Sequence, residues 1–320
     1  MPAAATSSSV ALRPAAGSHL LLFVLPSFIW GTTWLVIKFQ LGVVAPEVSV
    51  AYRFALAAAL LLGWCRLRGV VLRFPARDHA ALALFGVLQF GLNYVLVYLA
   101  ERSLTSGLVA VVFALMVVWG QVGERVLFGK RMPPAVVAGG ALGVAGVALV
   151  FWPELVTVHA ASVEARGFAL ALAATLVASA GNLSSQRLYA RGVPVVASTG
   201  WAMLYASLAV AASCVVRGIP FAFDASPAYL ASLAYLAVLG SVVAFVAYLT
   251  LIQRIGSGRA GYTAAAIPVL AMATSTAFEG YRWSGLALAG LALVLAGNVL
   301  VLRGKERGAR SGGAAPPTAR

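Results

Sequence analysis

The sequence predicts an all-α integral membrane protein with ten transmembrane helices, arranged as two inverted five-helix repeats. One observation is composition: 62% of the 320 residues are hydrophobic and only 10% are charged, which is too much apolar surface for one water-soluble core. A second is a series of apolar runs of roughly 20 residues, the length that crosses the hydrocarbon core of a bilayer. A third is a set of short glycine, arginine and tyrosine motifs that recur at a similar spacing in the two halves of the chain.

The apolar runs form two groups of five. Because backbone groups in lipid must find hydrogen bonds within their own segment, runs this long and this apolar predict helices. The predicted spans are 20–38, 46–65, 79–100, 104–124 and 134–152, followed by 167–186, 195–216, 228–252, 260–278 and 284–302. The corresponding divisions are a cytoplasmic tail (1–18), a first repeat (19–152), a connecting loop (153–166), a second repeat (167–303) and a disordered basic tail (304–320).

The repeat is visible as recurring motifs. The segment Gly129-x-Arg131-Met132 returns 151 residues later as Gly280-x-Arg282-Trp283. Near the same offset, Gly139 corresponds to Gly290, Gly146 to Gly297 and Tyr98 to Tyr248. Five spans reverse the direction of the chain, so two copies in series are expected to have opposite orientations in the membrane. Many secondary transporters use this arrangement to place one site between two halves.

The net charge is +14, and the distribution of Lys and Arg among the loops predicts the orientation of the spans. With the N-terminus inside, seventeen Lys and Arg residues fall in cytoplasmic segments and five in external ones, while Arg53 lies within a span. This bias predicts that both termini are cytoplasmic. The Ala/Arg/Gly-rich composition and the lack of an organelle-targeting signal favour a multi-pass protein of the bacterial plasma membrane. The same charges would attract anionic lipid headgroups. Nucleic-acid binding is not expected, because no basic face interleaved with aromatic residues lies outside the spans.

Prolines and glycines mark special places in the predicted helices. Only Pro26 and Pro268 lie inside spans, where each frees a carbonyl group and forms either a static kink or a flexing point for gating. The fifth and tenth spans are rich in glycine, which allows helices to approach closely. We expect these two spans to pack together as a rigid spine or to provide the face of a homodimer.

Arg53 is the outstanding ionisable residue, about seven residues into the second span and so roughly 10 Å from its outer end. A charge at the centre of a membrane helix costs roughly 2.5 to 3.5 kcal/mol, so this residue needs a partner or a function. Its guanidinium group is expected either to bind carbonyl oxygens and reach outward, or to receive the carboxylate of a substrate.

Polar and aromatic side chains near the predicted midplane complete the candidate binding site. Unpaired amides and hydroxyls are costly in lipid, so these side chains should face the interior, either as packing contacts or as the lining of a cavity. The candidates besides Arg53 are Trp30, Trp34, Gln89, Asn93, Tyr94, Asn182, Tyr205 and Tyr248. A mostly apolar cavity with a few amides and rings would suit amphipathic metabolites, including amino acids, and its rings could also hold a cation.

Carboxylates that could couple transport to protons are few. All glutamates fall at or near the predicted ends of spans, and Glu124 and Glu279 are the nearest to burial. Each is expected either to pair with a neighbouring arginine at the interface or to carry protons. Without a proton carrier, the protein would act as a facilitator or an exchanger.

Six short motifs, spread over both halves of the chain, resemble motifs of a known family. They are Trp30-Gly31, Arg53-Phe54, Ser106-Gly107, Ile255-Gly256-Ser257, Pro268 and Ala296-Gly297-Asn298. In order and spacing the chain resembles the drug/metabolite transporter superfamily, of the EamA type with ten helices in two repeats, over about residues 20–303. The resemblance implies a secondary transporter, most simply an exporter of small metabolites.

Other classes of function find less support in the sequence. The chain has no HExxH motif, no nucleophile elbow with a partner base and no P-loop, so we expect neither an enzyme nor a bound cofactor or metal. Export of cationic drugs, import of metabolites, and a role as a membrane scaffold or regulatory subunit are the alternatives to metabolite export.

Overall fold

The computed structural model describes residues 16–129, 131–152, 162–248, 250–251 and 262–312. Within these ranges the chain is helical and contains no strand. Eight of the described helices are long and apolar enough to cross a membrane, and two shorter apolar helices accompany them at Pro134–Val150 and Thr263–Phe278. The predicted segments 1–15, 153–161 and 313–320 lie outside the described residues.

The described part of the first half of the chain contains seven α-helices and one π-helical segment. They are α1 (Ala16–Lys38), α2 (Pro46–Leu67), α3 (Ala76–Gly86), a first π-helical segment (Val87–Leu92), α4 (Asn93–Glu101), α5 (Ser106–Phe113), α6 (Met116–Phe128) and α7 (Pro134–Val150), where the π segment joins α3 to α4. One continuous helix therefore runs from Ala76 to Glu101 and another from Ser106 to Phe128. Proline at the starts of α2 and α7 costs no hydrogen bond, because the first turn of a helix has free amides.

The second half follows a similar order. Its elements are α8 (Val163–Ala190), α9 (Val195–Val216), α10 (Pro227–Ala234), a second π-helical segment (Tyr235–Val243), α11 (Tyr262–Phe278) and α12 (Gly285–Gly312). The helix of α10 and the second π segment continues to Tyr248. Pro26 and Pro268 are buried within α1 and α11, and both helices continue through them.

Two helix ends differ from the predicted boundaries. The last helix extends to Gly312, whereas the sequence analysis assigned residues from 304 onward to a disordered tail. The extra residues include Lys, Glu and Arg, which favour helix although they are not apolar. The predicted connecting loop ends earlier than residue 166, because α8 begins at Val163. There the hydroxyl of Ser162 accepts a hydrogen bond from the amide of Ala165 at 3.1 Å and caps the helix.

Glycines bring α7 and α12 into backbone contact. A Cβ atom at Gly139 would lie 2.6 Å from the carbonyl oxygen of Gly297, and one at Gly146 would lie 2.6 Å from that of Gly290. Only glycine permits this approach, because any side chain would overlap the facing backbone. The glycine-rich surfaces of these two helices therefore cover each other within one chain.

The remaining helices surround Arg53. Helix α2 packs along α9, and α1 crosses α11 where Gly31 faces Leu270. One end of the bundle contains Lys38 at the end of α1, Glu101 at the end of α4 and Glu279 just after α11, and we call it the Lys38 end. The opposite end contains His79 at the start of α3, and we call it the His79 end.

Candidate functional site

Arg53 is buried in the interior of the bundle and is only 1% exposed. Its guanidinium carbon lies over the ring of Tyr94 at 4.6 Å and over that of Phe54 at 5.2 Å. Its Nε donates a hydrogen bond to the hydroxyl of Ser241 at 3.3 Å. Among the described residues, no carboxylate lies within ion-pair distance of Arg53, and its Nη1 atom has no hydrogen-bond partner. The charge thus lies against ring faces and against the hydroxyl groups of Ser241 and Tyr98.

Aromatic rings from three elements surround this position. The indole of Trp30 on α1 meets the rings of Phe245 and Tyr248 edge-on, with centroids 5.1 Å and 5.2 Å apart. Phe90, in the first π segment, contacts Phe245 at 5.8 Å. We call the group of Trp30, Arg53, Tyr94, Phe245 and Tyr248 the Arg53 site. Aromatic rings make up most of this group, and the Arg53 guanidinium is its one charged group.

The second π segment supplies backbone and hydroxyl groups to this site. The indole N–H of Trp30 donates to the carbonyl oxygen of Gly240 at 3.1 Å. The hydroxyl of Ser241 donates to the carbonyl of Leu236 at 2.9 Å, which leaves its lone pairs to accept from Arg53. A π turn changes the phase of a helix and often marks a functional site. Here it presents Gly240 and Ser241 to α1 and α2 together.

The three predicted amide side chains are those of Gln89, Asn93 and Asn182. They lie where the first π segment and the start of α4 pack against α8. The side-chain nitrogen of Asn93 donates to the carbonyl of Gln89 at 3.0 Å. The side-chain oxygens of both residues are buried and have no partner among the described residues. Gln89 lies against the backbone of Gly181, and the neighbouring Asn182 is exposed, with its amide 3.7 Å from the sulfur of Met116.

Two other predicted residues lie apart from the Arg53 site. Trp34 packs against Phe113 with centroids 4.9 Å apart, and its indole nitrogen has no partner among the described residues. Tyr205 lies near the His79 end, where its hydroxyl is 2.8 Å from Nδ1 of His79 and its ring stacks on Trp201. Of the predicted set, Trp30 contacts Tyr248 and Arg53 contacts Tyr94. Gly240 and Ser241 of the second π segment join these two pairs.

The two candidate coupling carboxylates have different surroundings. Glu279 accepts hydrogen bonds from the backbone amide and the hydroxyl of Ser106, the first residue of α5, and lies 3.6 Å from the ammonium of Lys38. The predicted partner of Glu279 was a neighbouring arginine, whereas the described ion pair joins Glu279 to Lys38. Glu124 accepts from the amide of Gln186 at 3.5 Å.

Sequence reasoning missed the burial of Glu101. Its side chain is fully buried, although it ends a predicted span. One available signal was its position three residues after Tyr98, itself fully buried, because residues three apart share a helix face. We call the group of Lys38, Glu101, Ser106 and Glu279 the Lys38 cluster. No group of three or more His, Cys, Asp or Glu residues in the described part of the chain could hold a metal ion.

Comparison with known proteins places these observations in a family. The model of the EamA-like transporter family matches residues 17–152 and again residues 165–303. The "Uncharacterized inner membrane transporter YedA" of Escherichia coli strain K12 is 28% identical over 296 residues, 92% of each chain. A "Probable amino-acid metabolite efflux pump" of the same strain is 26% identical over 303 residues, covering 89% of this chain and 96% of the relative.

A second "Probable amino-acid metabolite efflux pump", from Salmonella typhimurium strain LT2, is 24% identical over 287 residues. It covers 86% of this chain and 92% of its own length. A solved structure described only as "Crystal structure of protein" has the same fold, with a TM-score of 0.67 at 20% identity over 91% of this chain and 99% of the other. Two family matches that together span most of the chain, and helices suited to a bilayer, lead to one conclusion: this multi-pass membrane transporter belongs to the EamA-like transporter family.

Proposed function

We propose that this transporter exports amino acids or related amphipathic metabolites by alternating access, and that Arg53 receives the carboxylate of the substrate. The observation that carries this proposal is a guanidinium group that is 1% exposed and has no described carboxylate partner. A buried cation without a counter-ion is costly. A substrate carboxylate would supply that counter-ion through the planar donors of the guanidinium group.

The rings of the Arg53 site suit the remainder of such a substrate. Apolar side chains or methylene groups would pack against Trp30, Phe245 and Tyr248. The ring centroid of Trp30 lies 5.1 Å from that of Phe245 and 5.2 Å from that of Tyr248. A substrate amine would lie favourably over a ring face. Two relatives are named as probable amino-acid metabolite efflux pumps, which supports the same class of substrate. A purely cationic drug fits less well, because the buried Arg53 charge would repel it.

The proposed topology has ten spans in two inverted repeats, with both termini in the cytoplasm. The family model matches the two halves separately, at 17–152 and 165–303. Helix α7 has 17 residues and would be about 25 Å long, close to the hydrocarbon thickness of about 30 Å. With this orientation the Lys38 end is external and the His79 end is cytoplasmic.

In the proposed repeats, the surroundings of Arg53 and Trp30 have an equivalent at the corresponding positions of the second half. The binding site would lie in only one of these two related interfaces. Near an offset of 149 to 151 residues, the positions corresponding to Arg53 and Trp30 are Ala202 and Gly181. The backbone of Ala202 packs tightly against Gly86, and Gly181 packs against Gln89. Small residues thus close one interface between the halves, whereas large residues occupy the other and separate its backbones. This asymmetry favours a substrate path beside α1, α2 and the second π segment.

Alternating access requires that the two ends open in turn. We propose that Pro26 and Pro268 allow α1 and α11 to flex, since each helix lacks one backbone hydrogen bond at its proline. Glu124 and Glu279 are the proposed coupling residues from the sequence, and Glu279 ties α11 to α5 at the Lys38 end. The partners would be the substrate and membrane lipids. A homodimer would use surfaces other than the glycines that α7 and α12 bury against each other.

Counterflow into proteoliposomes tests this function. Vesicles loaded with a mixture of unlabelled amino acids are exposed to one radiolabelled amino acid at a time, using the wild type, Arg53→Gln and Arg68→Gln. Arg68 follows α2 and lies over Trp64 at 6.0 Å near the surface, so it is a control for loss of one arginine. We expect label to accumulate with the wild type and Arg68→Gln, and not with Arg53→Gln.

Each other result has a definite meaning. Equal accumulation with Arg53→Gln would contradict the carboxylate-binding role. Accumulation with none of the three proteins for any amino acid would contradict the proposed substrate class, and cationic drugs would then be assayed in both directions. Specific binding of another membrane protein, with no solute movement at all, would favour the scaffold alternative.

A further inference from the structure

Glu101 is an acidic residue in an environment that does not suit a carboxylate ion. It is the last residue of α4 and is 0% exposed. Within the described part of the chain, neither of its carboxylate oxygens has a hydrogen-bond partner. An ionised carboxylate in a dry interior without such partners is far more costly than a neutral carboxyl group. The geometry therefore favours a bound proton on Glu101 in this conformation.

The charged groups that face Glu101 come from three other helices. Lys38 on α1, Arg53 on α2 and Glu279 beyond α11 all act on it electrostatically. The ammonium of Lys38 is occupied elsewhere: it donates to the backbone carbonyls of Glu101 and Leu104, at 2.5 Å and 2.6 Å, and lies 3.6 Å from Glu279. Lys38 is thus near the Glu101 side chain but bound to other acceptors.

We propose that Glu101 is a proton-binding site that controls whether the Lys38 end of the bundle is closed. With the proton bound, Lys38 pairs with Glu279 and the Lys38 cluster holds that end together. When the proton leaves to water at that end, the new carboxylate attracts Lys38 and repels Glu279. This proposal rests on the proposed alternating access, because a closed end has a function only if that end also opens.

The contacts of Glu279 explain why the loss of Lys38 would open the end. Glu279 joins α11 to the first turn of α5 through Ser106, and to α1 through Lys38. Helices α1 and α5 belong to the first half and α11 to the second, so these bonds connect the two halves. Without Lys38, Glu279 keeps only its bonds to Ser106, and it faces a second negative charge on Glu101.

The charged residues that surround Glu101 at the Lys38 end are not repeated at the equivalent positions of the other half. At offsets of 150 or 151 residues, Lys38, Glu101 and Glu279 correspond to Tyr189, Leu251 and Phe128, none of which carries a charge. A change in the protonation of Glu101 would therefore act at the Lys38 end, whereas the opposite end has a different ion pair, between Arg191 and Asp78 at 2.8 Å.

Glu101 is also connected to the Arg53 site. Tyr94, Tyr98 and Glu101 are four and three residues apart, so they lie along one face of α4. Tyr94 lies under the guanidinium of Arg53, and Glu101 is about 10 Å further along the same helix. A substrate carboxylate that neutralises Arg53 would weaken the cationic field that favours ionised Glu101. Substrate and proton binding would then influence each other.

Labelling of a buried cysteine tests the proposal. Ser275 on α11 is 0% exposed and lies against Gly107 of α5, one turn before Glu279. In a background of Cys65→Ala and Cys214→Ala, Ser275→Cys is treated with a membrane-impermeant maleimide between about pH 5 and about pH 8. Ala225→Cys, at an exposed site in the loop after α9, corrects for the pH dependence of thiol chemistry. We expect the corrected labelling rate to rise about fivefold toward high pH.

Two further variants identify the titrating group. Glu101→Gln keeps the shape of the protonated residue and is expected to show slow labelling at every pH. Glu47→Gln removes a carboxylate at the same end that pairs with Arg217 at 3.1 Å, and is expected to retain the wild-type response. A Glu101→Gln protein that responds like the wild type would overturn the proposal, as would a wild type with no response. If Glu101→Gln does not assemble, Glu101→Met provides the uncharged variant.

The same labelling separates this inference from the proposed function. It requires no substrate, so it reports on Glu101 even if the substrate class is wrong. Counterflow is measured in parallel with equal pH on both sides of the membrane. Counterflow with no pH-dependent labelling would remove the role of Glu101 and leave the carrier. Glu101-dependent labelling without counterflow of any amino acid would remove the proposed substrate class and leave the proton site.

Discussion

The indole N–H of Trp30 and the carbonyl oxygen of Gly240 are joined by a 3.1 Å hydrogen bond between residues 210 positions apart in sequence. This bond attaches α1 to the second π segment beside Arg53. It fixes the edge of the Trp30 ring, and with it the contacts to Phe245 and Tyr248.

Trp30→Phe should weaken substrate binding while the protein still assembles. Phenylalanine retains an aromatic ring but cannot donate to Gly240, and a lost hydrogen bond of about 1 kcal/mol corresponds to about a fivefold change in affinity. The concentration of unlabelled substrate that halves counterflow should therefore increase by about that factor. Trp64→Phe, at a side chain that is 40% exposed, is the control. Equal affinity for both variants would show that the Trp30 bond does not shape the site.

Arg53→Lys should impair binding even though it preserves the charge. Lysine cannot lie flat over Tyr94 or present two parallel N–H groups to a carboxylate. We expect about a tenfold loss of apparent affinity for an amino acid, close to the effect of removing a charged hydrogen bond of about 1.5 kcal/mol. Competition by the methyl ester of the same amino acid supplies the comparison. Because the ester lacks the carboxylate, its weak inhibition should be similar for wild type and variant; full wild-type affinity in Arg53→Lys would argue against bidentate recognition.

Gly146→Leu should destabilise the bundle. A Cβ atom at Gly146 would lie 2.6 Å from the carbonyl oxygen of Gly290, so leucine would force α7 and α12 apart. Overpacking of this kind costs about 1 to 3 kcal/mol or more. The melting temperature of the purified protein in detergent is expected to fall by several degrees. Gly63→Leu, at a helical glycine with nothing within 4 Å, should leave it almost unchanged. Similar melting temperatures for the two variants would contradict the contact.

The ten-span topology predicts the location of reporter fusions. Truncation after Asp224 should place a fused alkaline phosphatase outside the cell, where it is active, because seven spans precede that position. If α7 did not cross the membrane, the same fusion would remain in the cytoplasm and be inactive. Fusion after Phe128 should be cytoplasmic under either count and is the control. An inactive fusion after Asp224 would thus exclude the proposed ten spans.

The sequence could predict features that depend on local pattern. Arg53 was identifiable because a single charge in a long apolar run is conspicuous, and the structure places it at 1% exposure. The glycines of α7 and α12 were identifiable by their spacing. The helical class of the fold followed from the lengths of the apolar runs, because lipid leaves the backbone few other choices.

Features that depend on distant contacts were not predictable. Tyr205 has the same local character as Tyr94, yet it contacts His79, because its position depends on how α9 packs against α3. The π segments have no simple residue signature and depend on packing, so Ser241 could not be assigned to Arg53. Glu101 sits at the end of an apolar run, where a carboxylate is usually hydrated. Its burial depends on residues distant in sequence, such as Lys38, whose ammonium group donates to the Glu101 carbonyl oxygen.

Conversion of the second π segment to α-helix would let the bundle change shape without a hinge. A π turn contains one residue more than an α turn, so converting it to α-helix would move the adjoining segment by about 1.5 Å along its axis and rotate it by about 100°. Such a screw movement would carry Ser241 away from Arg53 and Gly240 away from Trp30 together, because both lie in the same turns. A shift of hydrogen bonds along a single helix would thus break the Arg53–Ser241 and Trp30–Gly240 contacts in one step. A bound solute would lose its proposed partners at the same time.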